Sequence, residues 1–220
     1  MLPEDFHDHV LNAGEAGLLY IIRPDDTYSD RPFFMESQHA SVFRRFFYER
    51  AAKELSNRGA DGRAAKAYLG LARSQDALGD PDKAQAARLS AISLFSDPRA
   101  ANRQAAEYIQ SERLGYAKEL LLGLTSSDPE RPEYLTNLVI ALINLEEFEA
   151  ARDRCRKLLR LWPDTPDPYL LRILVELESG DLVRAERALK EASERFPKLD
   201  KLSHFERMME SSKAEAAERK

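Results

Sequence analysis

Few residues in this sequence have the types and spacing that chemistry needs. His7-Asp8-His9 is the one close histidine pair, but residues two apart on a helix point to different faces and no third ligand can be named beside them. Cys155 is the sole cysteine. It stands with Phe148, Ala151 and Leu158 at helical spacing, where a thiol behaves as a small apolar side chain, and no histidine near it in sequence would draw off its proton. Neither a phosphate-cradling glycine loop nor a Gly-Xaa-Ser-Xaa-Gly elbow occurs. The basic run Arg152, Arg154, Arg156, Lys157 and Arg160 follows Glu146, Glu147 and Glu149. Acid at the positive end of a helix and base toward its negative end suit the helix dipole, so this run reads as a solvated outer face. Arg44-Arg45-Phe46-Phe47 mixes base with aromatics that read, at helical spacing, as core. The expectation is a protein with no catalytic residues, no metal and no cofactor.

The bulk composition agrees with a helical scaffold. The 220 residues are 43% hydrophobic and 32% charged, enough apolar material for a substantial core. A formal net charge of -5 gives no excess of base with which to hold a nucleic acid. A single cysteine cannot close an intramolecular disulfide, which suits the cytoplasm. The sequence opens on acidic residues where a secretory signal would be basic. Its longest apolar stretches, residues 17–22 and 138–143, are too short to cross a bilayer, so no direct membrane insertion is expected.

The elements that must position any site are set by a repeat. Ala117, Ala151 and Ala185 stand 34 apart, as do Pro129, Pro163 and Pro197. A shared beat with a fixed offset marks stacked units rather than one compact core. Within residues 132–165, Leu135, Leu138, Val139 and Leu142 lie on one helical face. After an interruption at residues 144–147, Phe148, Ala151, Cys155 and Leu158 lie on one face of a second helix. Each unit is therefore a helical hairpin. Gly180-Asp181 supplies the turn of the next unit, glycine taking the left-handed conformation that ends one helix and Asp capping the other. Four units follow, at about 65–97, 98–131, 132–165 and 166–199. Ala84 precedes Ala117 by 33 rather than 34, and the closing proline of that unit has slipped to Pro98, so this junction is expected to be irregular.

These positions resemble the tetratricopeptide repeat (TPR). Its wording is met most fully by Tyr68, Leu71-Ala72, Gly79-Asp80, Ala84 and Ala91. The resemblance covers residues 63–199 and implies an all-α, right-handed α-solenoid of stacked antiparallel hairpins. Residues 1–62 would be an aromatic-rich helical cap or arm with a degenerate repeat, and residues 200–220 a capping helix with a charged tail. Nine of the 19 Phe, Tyr and Trp residues fall in the first 50 positions, and Phe33, Phe34, Phe43 and Phe46 are candidates for an oligomer or partner contact.

The resemblance also implies that first helices line a concave groove. It places there Lys66, Leu69 and Arg73; Arg99, Asn102, Arg103 and Ala106; Thr136, Asn137, Ile140 and Asn144; then Leu170 and Leu174. This lining grades from basic through asparagine to apolar. Amides can pair with a peptide backbone, and Arg73 and Arg103 can hold carboxylates. It departs from the carboxylate clamp of chaperone-binding members, because Leu69 and Glu133 stand where lysine is wanted. The expected function is a non-enzymatic scaffold or adaptor that grips an extended or helical, acidic segment of a partner protein. Two alternatives are a structural subunit of a larger assembly, held through its arm and outer face or as a homo-oligomer, and a chaperone for secretion or appendage subunits.

Overall fold

The computed structural model describes Leu18, Leu19, Phe33, Phe34 and residues 37–218, with side chains for residues 41, 42 and 44–214. A two-residue antiparallel ladder pairs Leu18 with Phe34 and Leu19 with Phe33. The rest is helical, as the repeat requires. Helix α1 spans Ser37–Asn57. Hairpin 1 is α2 (Asp61–Ala77) and α3 (Pro81–Ser93). Hairpin 2 is α4 (Pro98–Gln110) and α5 (Leu114–Ser127). Hairpin 3 is α6 (Pro132–Asn144) and α7 (Phe148–Leu161), and hairpin 4 is α8 (Asp167–Glu178) and α9 (Leu182–Arg195). Helix α10 (Leu202–Glu218) follows. Proline opens α3, α4 and α6, where its missing N–H is one the helix start would leave unbonded anyway.

The four hairpin turns share one hydrogen-bond pattern. The N–H groups of Asp80, Arg113, Glu147 and Asp181 donate to the carbonyls of Gln75, Tyr108, Leu142 and Glu176 at 2.9, 2.8, 2.9 and 3.0 Å. Each closes a Schellman-type end whose preceding residue is left-handed: Gly79, Glu112, Glu146 and Gly180, at φ of 79°, 59°, 59° and 74°. Two of these positions hold glutamate and so carry a Cβ penalty that glycine avoids.

The small residues of the second helices sit where helices cross. Ala84, Ala117, Ala151 and Ala185 are all fully buried, which leaves the neighbouring helix no room for a larger side chain. The position after each of the last three alanines reaches the next unit. Lys118 pairs with Glu147 at 2.6 Å, Arg152 with Glu176 at 2.8 Å, and Glu186 with Lys213 of α10 at 2.9 Å. At the C-terminal end, Leu202 and Met209 of α10 are buried with Ile173 and Ala188, so the apolar face of hairpin 4 does not end in water.

Stacking is regular only from hairpin 2 onward. Both helices of hairpin 2 pack on α6, both of hairpin 3 on α8, and both of hairpin 4 on α10. Between hairpins 1 and 2 it is α5, the second helix, that packs against α2 and α3. Glycine makes this approach. A Cβ at Gly115 would come 2.7 Å from the Arg73 guanidinium, and one at Gly123 would come 3.0 Å from the Cβ of Arg88 and 2.7 Å from Ile92 Cδ1. Gly115, Glu119 and Gly123 form one stripe at i, i+4 and i+8. Thirty-four residues on, the same stripe holds Glu149, Asp153 and Lys157, the first two exposed and the third half-buried. After a further 34 it holds exposed Val183, Arg187 and Glu191. The expected irregularity is thus a change of which face stacks.

Candidate functional site

The changed junction divides the expected groove. From hairpin 2 onward the first helices α4, α6 and α8 are successive neighbours, and Asn137 Nδ2 of α6 donates to Asn102 Oδ1 of α4 at 3.0 Å. Arg99, Arg103 and Asn144 are exposed around this pair, while Ala106, Thr136, Ile140 and Leu174 are half-buried. Each amide keeps hydrogen-bonding capacity beyond the shared bond. These residues are carried by the three neighbouring first helices α4, α6 and α8.

Three expected lining residues belong elsewhere. Leu69 is fully buried in the core shared with α4 to α6, so no ligand can reach it. Leu170, 7% exposed, is core together with Leu202 and Met209, because α10 packs on α8. Arg73 is half-buried and its guanidinium lies against Gly115 of α5, a second helix. Lys66 instead borders a cavity of about 410 Å³ between the start of α2 and the α4–α5 turn, with Arg63, Gln104, Tyr108 and Arg113. Among the aromatic candidates, Phe46 is 58% exposed rather than core. Beside it on α1, Val42 is 44% exposed, and Phe46 meets Phe47 edge-on at 5.9 Å. The side chains of Phe33, Phe34 and Phe43, and the His7-Asp8-His9 pair, lie outside the described residues.

Charge is buried at two inter-hairpin seams. In the first, Arg88 of α3 donates from Nε to Glu119 Oε2 of α5 at 2.8 Å and also pairs with Asp76. Burial pushes the Glu119 carboxyl above its ordinary 4.5, and the Arg88 charge opposes that rise only in part. In the second, Arg152 leaves the solvated face expected of it. Its guanidinium holds Glu176 at 2.8 Å, Ser179 Oγ at 2.7 Å and Glu149 at 2.7 Å. Glutamates on the partner helices were the missing half of both pairs, and sequence spacing alone does not reveal such cross-unit partners.

Cys155 is buried, and its thiol is pushed up to about 12 by burial and then by the nearby Glu176 charge. A thiol held this far above its ordinary value stays protonated at neutral pH, and the thiolate is the nucleophilic form. Among the described residues, no group of three or more His, Cys, Asp or Glu is placed to hold a metal. No described helix is long and apolar enough to cross a membrane.

Neither a protein-family model nor a curated protein matches the sequence. Solved structures do. The chain is similar to a tetratricopeptide repeat protein from Parabacteroides merdae ATCC 43184, at 15% identity and a TM-score of 0.52, over 96% of this chain and 75% of that one. It also matches MamA MSR-1 at 19% identity (TM-score 0.43; 70% of this chain and 98% of that one). A third match is the TPR2AB-domain:pHSP90 complex of yeast Sti1, at 15% identity (TM-score 0.47; 80% and 84%). The first of these, with the hairpins and turns described above, shows that the chain has a TPR-like solenoid fold.

Proposed function

We propose that this chain is a non-enzymatic protein-binding scaffold whose working surface is the strip on α4, α6 and α8. The observation that carries this reading is the Asn137–Asn102 hydrogen bond, 3.0 Å long, which bridges two adjacent first helices with Arg99 and Arg103 exposed beside it. Amides held in this way offer donors and acceptors to a peptide backbone whatever its side chains, and the arginines favour an acidic segment. A single buried thiol suits work in a reducing compartment such as the cytoplasm.

The test is affinity capture followed by mass spectrometry, comparing wild type with Arg103→Glu/Asn137→Ala. Lys157→Glu on the outer face serves as control. Partners retained by the control and lost from the double variant support the strip; equal recovery from all three sinks it.

A second reading rests on Val42 and Phe46, exposed one turn apart on α1. It makes the chain an assembly subunit held through its N-terminal part, because exposed aromatic side chains concentrate at interfaces. Cross-links that map to residues 37–57 and not to α4, α6 and α8 would favour it.

A further inference from the structure

One face of helix α1 packs on α2 and the opposite face is uncovered. Tyr48, Ala51, Ala52 and Leu55 are buried in the core shared with α2 and α3. On the other side Val42 and Phe46 are 44% and 58% exposed, and exposed Arg50 and Lys53 continue the same stripe over the next two turns. The end of a repeat stack ordinarily turns a polar face to water, and this one carries an aromatic. Arg45, half-buried, and Glu49, exposed, stand one turn apart on one edge of the stripe. Their spacing would allow an ion pair within the helix, yet among the described residues neither has an ion-pair partner. On the other edge Glu54 is already held, by Arg58 at 2.5 Å.

We propose that this face binds a second copy of the same chain, as an antiparallel pair of α1 helices about a two-fold axis. The proposal rests on the reading that α1 is an assembly surface, and it names the partner. The charge pattern selects the occupant. A two-fold axis brings the same edge of both helices together, so that edge must complement itself. With the axis at the level of Phe47, Arg45 of each copy stands level with Glu49 of the other, and two ion pairs form. The two Phe46 residues then lie about 3 Å apart along the helix axes, close enough for their rings to cover each other between those pairs. An acidic partner or an anionic bilayer would suit Arg45, Arg50 and Lys53 but would press like charge onto Glu49. The aromatic centre removes from water apolar surface that a single chain leaves exposed.

Light scattering of the full chain over a range of concentrations tests it. The mass is expected to rise toward twice the 25.0 kDa of one chain. Phe46→Glu should weaken self-association at least tenfold in a chain that melts like wild type. Arg45→Glu and Glu49→Arg each set like charges along the edge, and each should weaken it several-fold. An equimolar mixture of those two variants should regain it, because mixed pairs restore both ion pairs. The proposal is overturned by a wild type that stays monomeric at every concentration, by self-association indifferent to Phe46→Glu, or by a mixture no tighter than its components. If a monomeric wild type still forms cross-links to other proteins through residues 37–57, the second copy is refuted while the assembly reading stands; a monomer without such cross-links ends both.

Discussion

The seam between hairpins 1 and 2 and the seam between hairpins 3 and 4 solve the same problem with different faces. Each buries one arginine against one glutamate, Arg88 with Glu119 and Arg152 with Glu176. At the later seam the clamp supplements a regular stack in which both helices of one hairpin meet the first helix of the next. At the earlier seam the clamp stands at the centre of the contact, flanked along α5 by Gly115 and Gly123. The difference teaches that a repeat fixes the fold of each hairpin more firmly than it fixes how neighbouring hairpins join. A helix stripe with glycine on either side of one buried glutamate goes with a different neighbour.

The largest effect should come from breaking a clamp. Arg88→Met leaves Glu119 buried without its cation and is expected to cost about 3–5 kcal/mol, with most of the loss recovered in Arg88→Met/Glu119→Leu. Chemical denaturation measures the loss, and hydrogen exchange should locate the loosening in α1 to α3. Arg152→Met should cost a similar amount but loosen α8 to α10. Identical exchange maps for the two variants would show that the seams are not separate units.

Next in size is the glycine stripe. Gly123→Leu should destabilise by about 1–3 kcal/mol or more through overpacking against Arg88 and Ile92. Lys157→Leu, 34 residues on, faces no such contact and should stay within about 0.5 kcal/mol of wild type. Matching thermal melts for the two would refute the face change. Ala151→Leu, at a fully buried crossing of the regular stack, should also lose about 1–3 kcal/mol.

The turns give a smaller effect that runs in both directions. Glu146→Gly relieves a left-handed residue and should gain roughly 0.5–1 kcal/mol, whereas Gly180→Ala at the equivalent turn should lose about 1 kcal/mol.

The pH dependence should be the subtlest. Because the folded-state pKa of Glu119 is raised, its contribution to stability is fully present below the ordinary 4.5. That contribution is lost as pH climbs from there through the folded value. Wild type should therefore gain on Glu119→Gln as the pH of paired denaturation curves is lowered toward 4.5. A constant difference between the two would mean that Glu119 is not desolvated.

Much of the fold was legible because hairpins are local. Ala117, Ala151 and Ala185 mark helix crossings, and Gly180-Asp181 marks a turn, through contacts made within a few dozen residues. The groove was less legible. One register carried through all four units puts Asn102 beside Asn137 but fails at Leu69 and Leu170, which are core, and at Arg73, which lies against α5. The 33-residue step from Ala84 to Ala117 flagged the break. Gly115 and Gly123, at positions that hold charged or apolar side chains in the later units, were the signal of what replaced the regular stack.

The sequence by itself determined four helical hairpins, their turns, and the small residues at their crossings, because each depends on neighbours close along the chain. Tertiary structure alone decided which face of α5 meets hairpin 1, that Arg152 is a clamp and not a surface charge, and that Phe46 is exposed on α1 rather than core. Those outcomes depend on pairings between helices, where a Cβ present or absent and a buried charge met or unmet select one packing among several that the repeat itself allows.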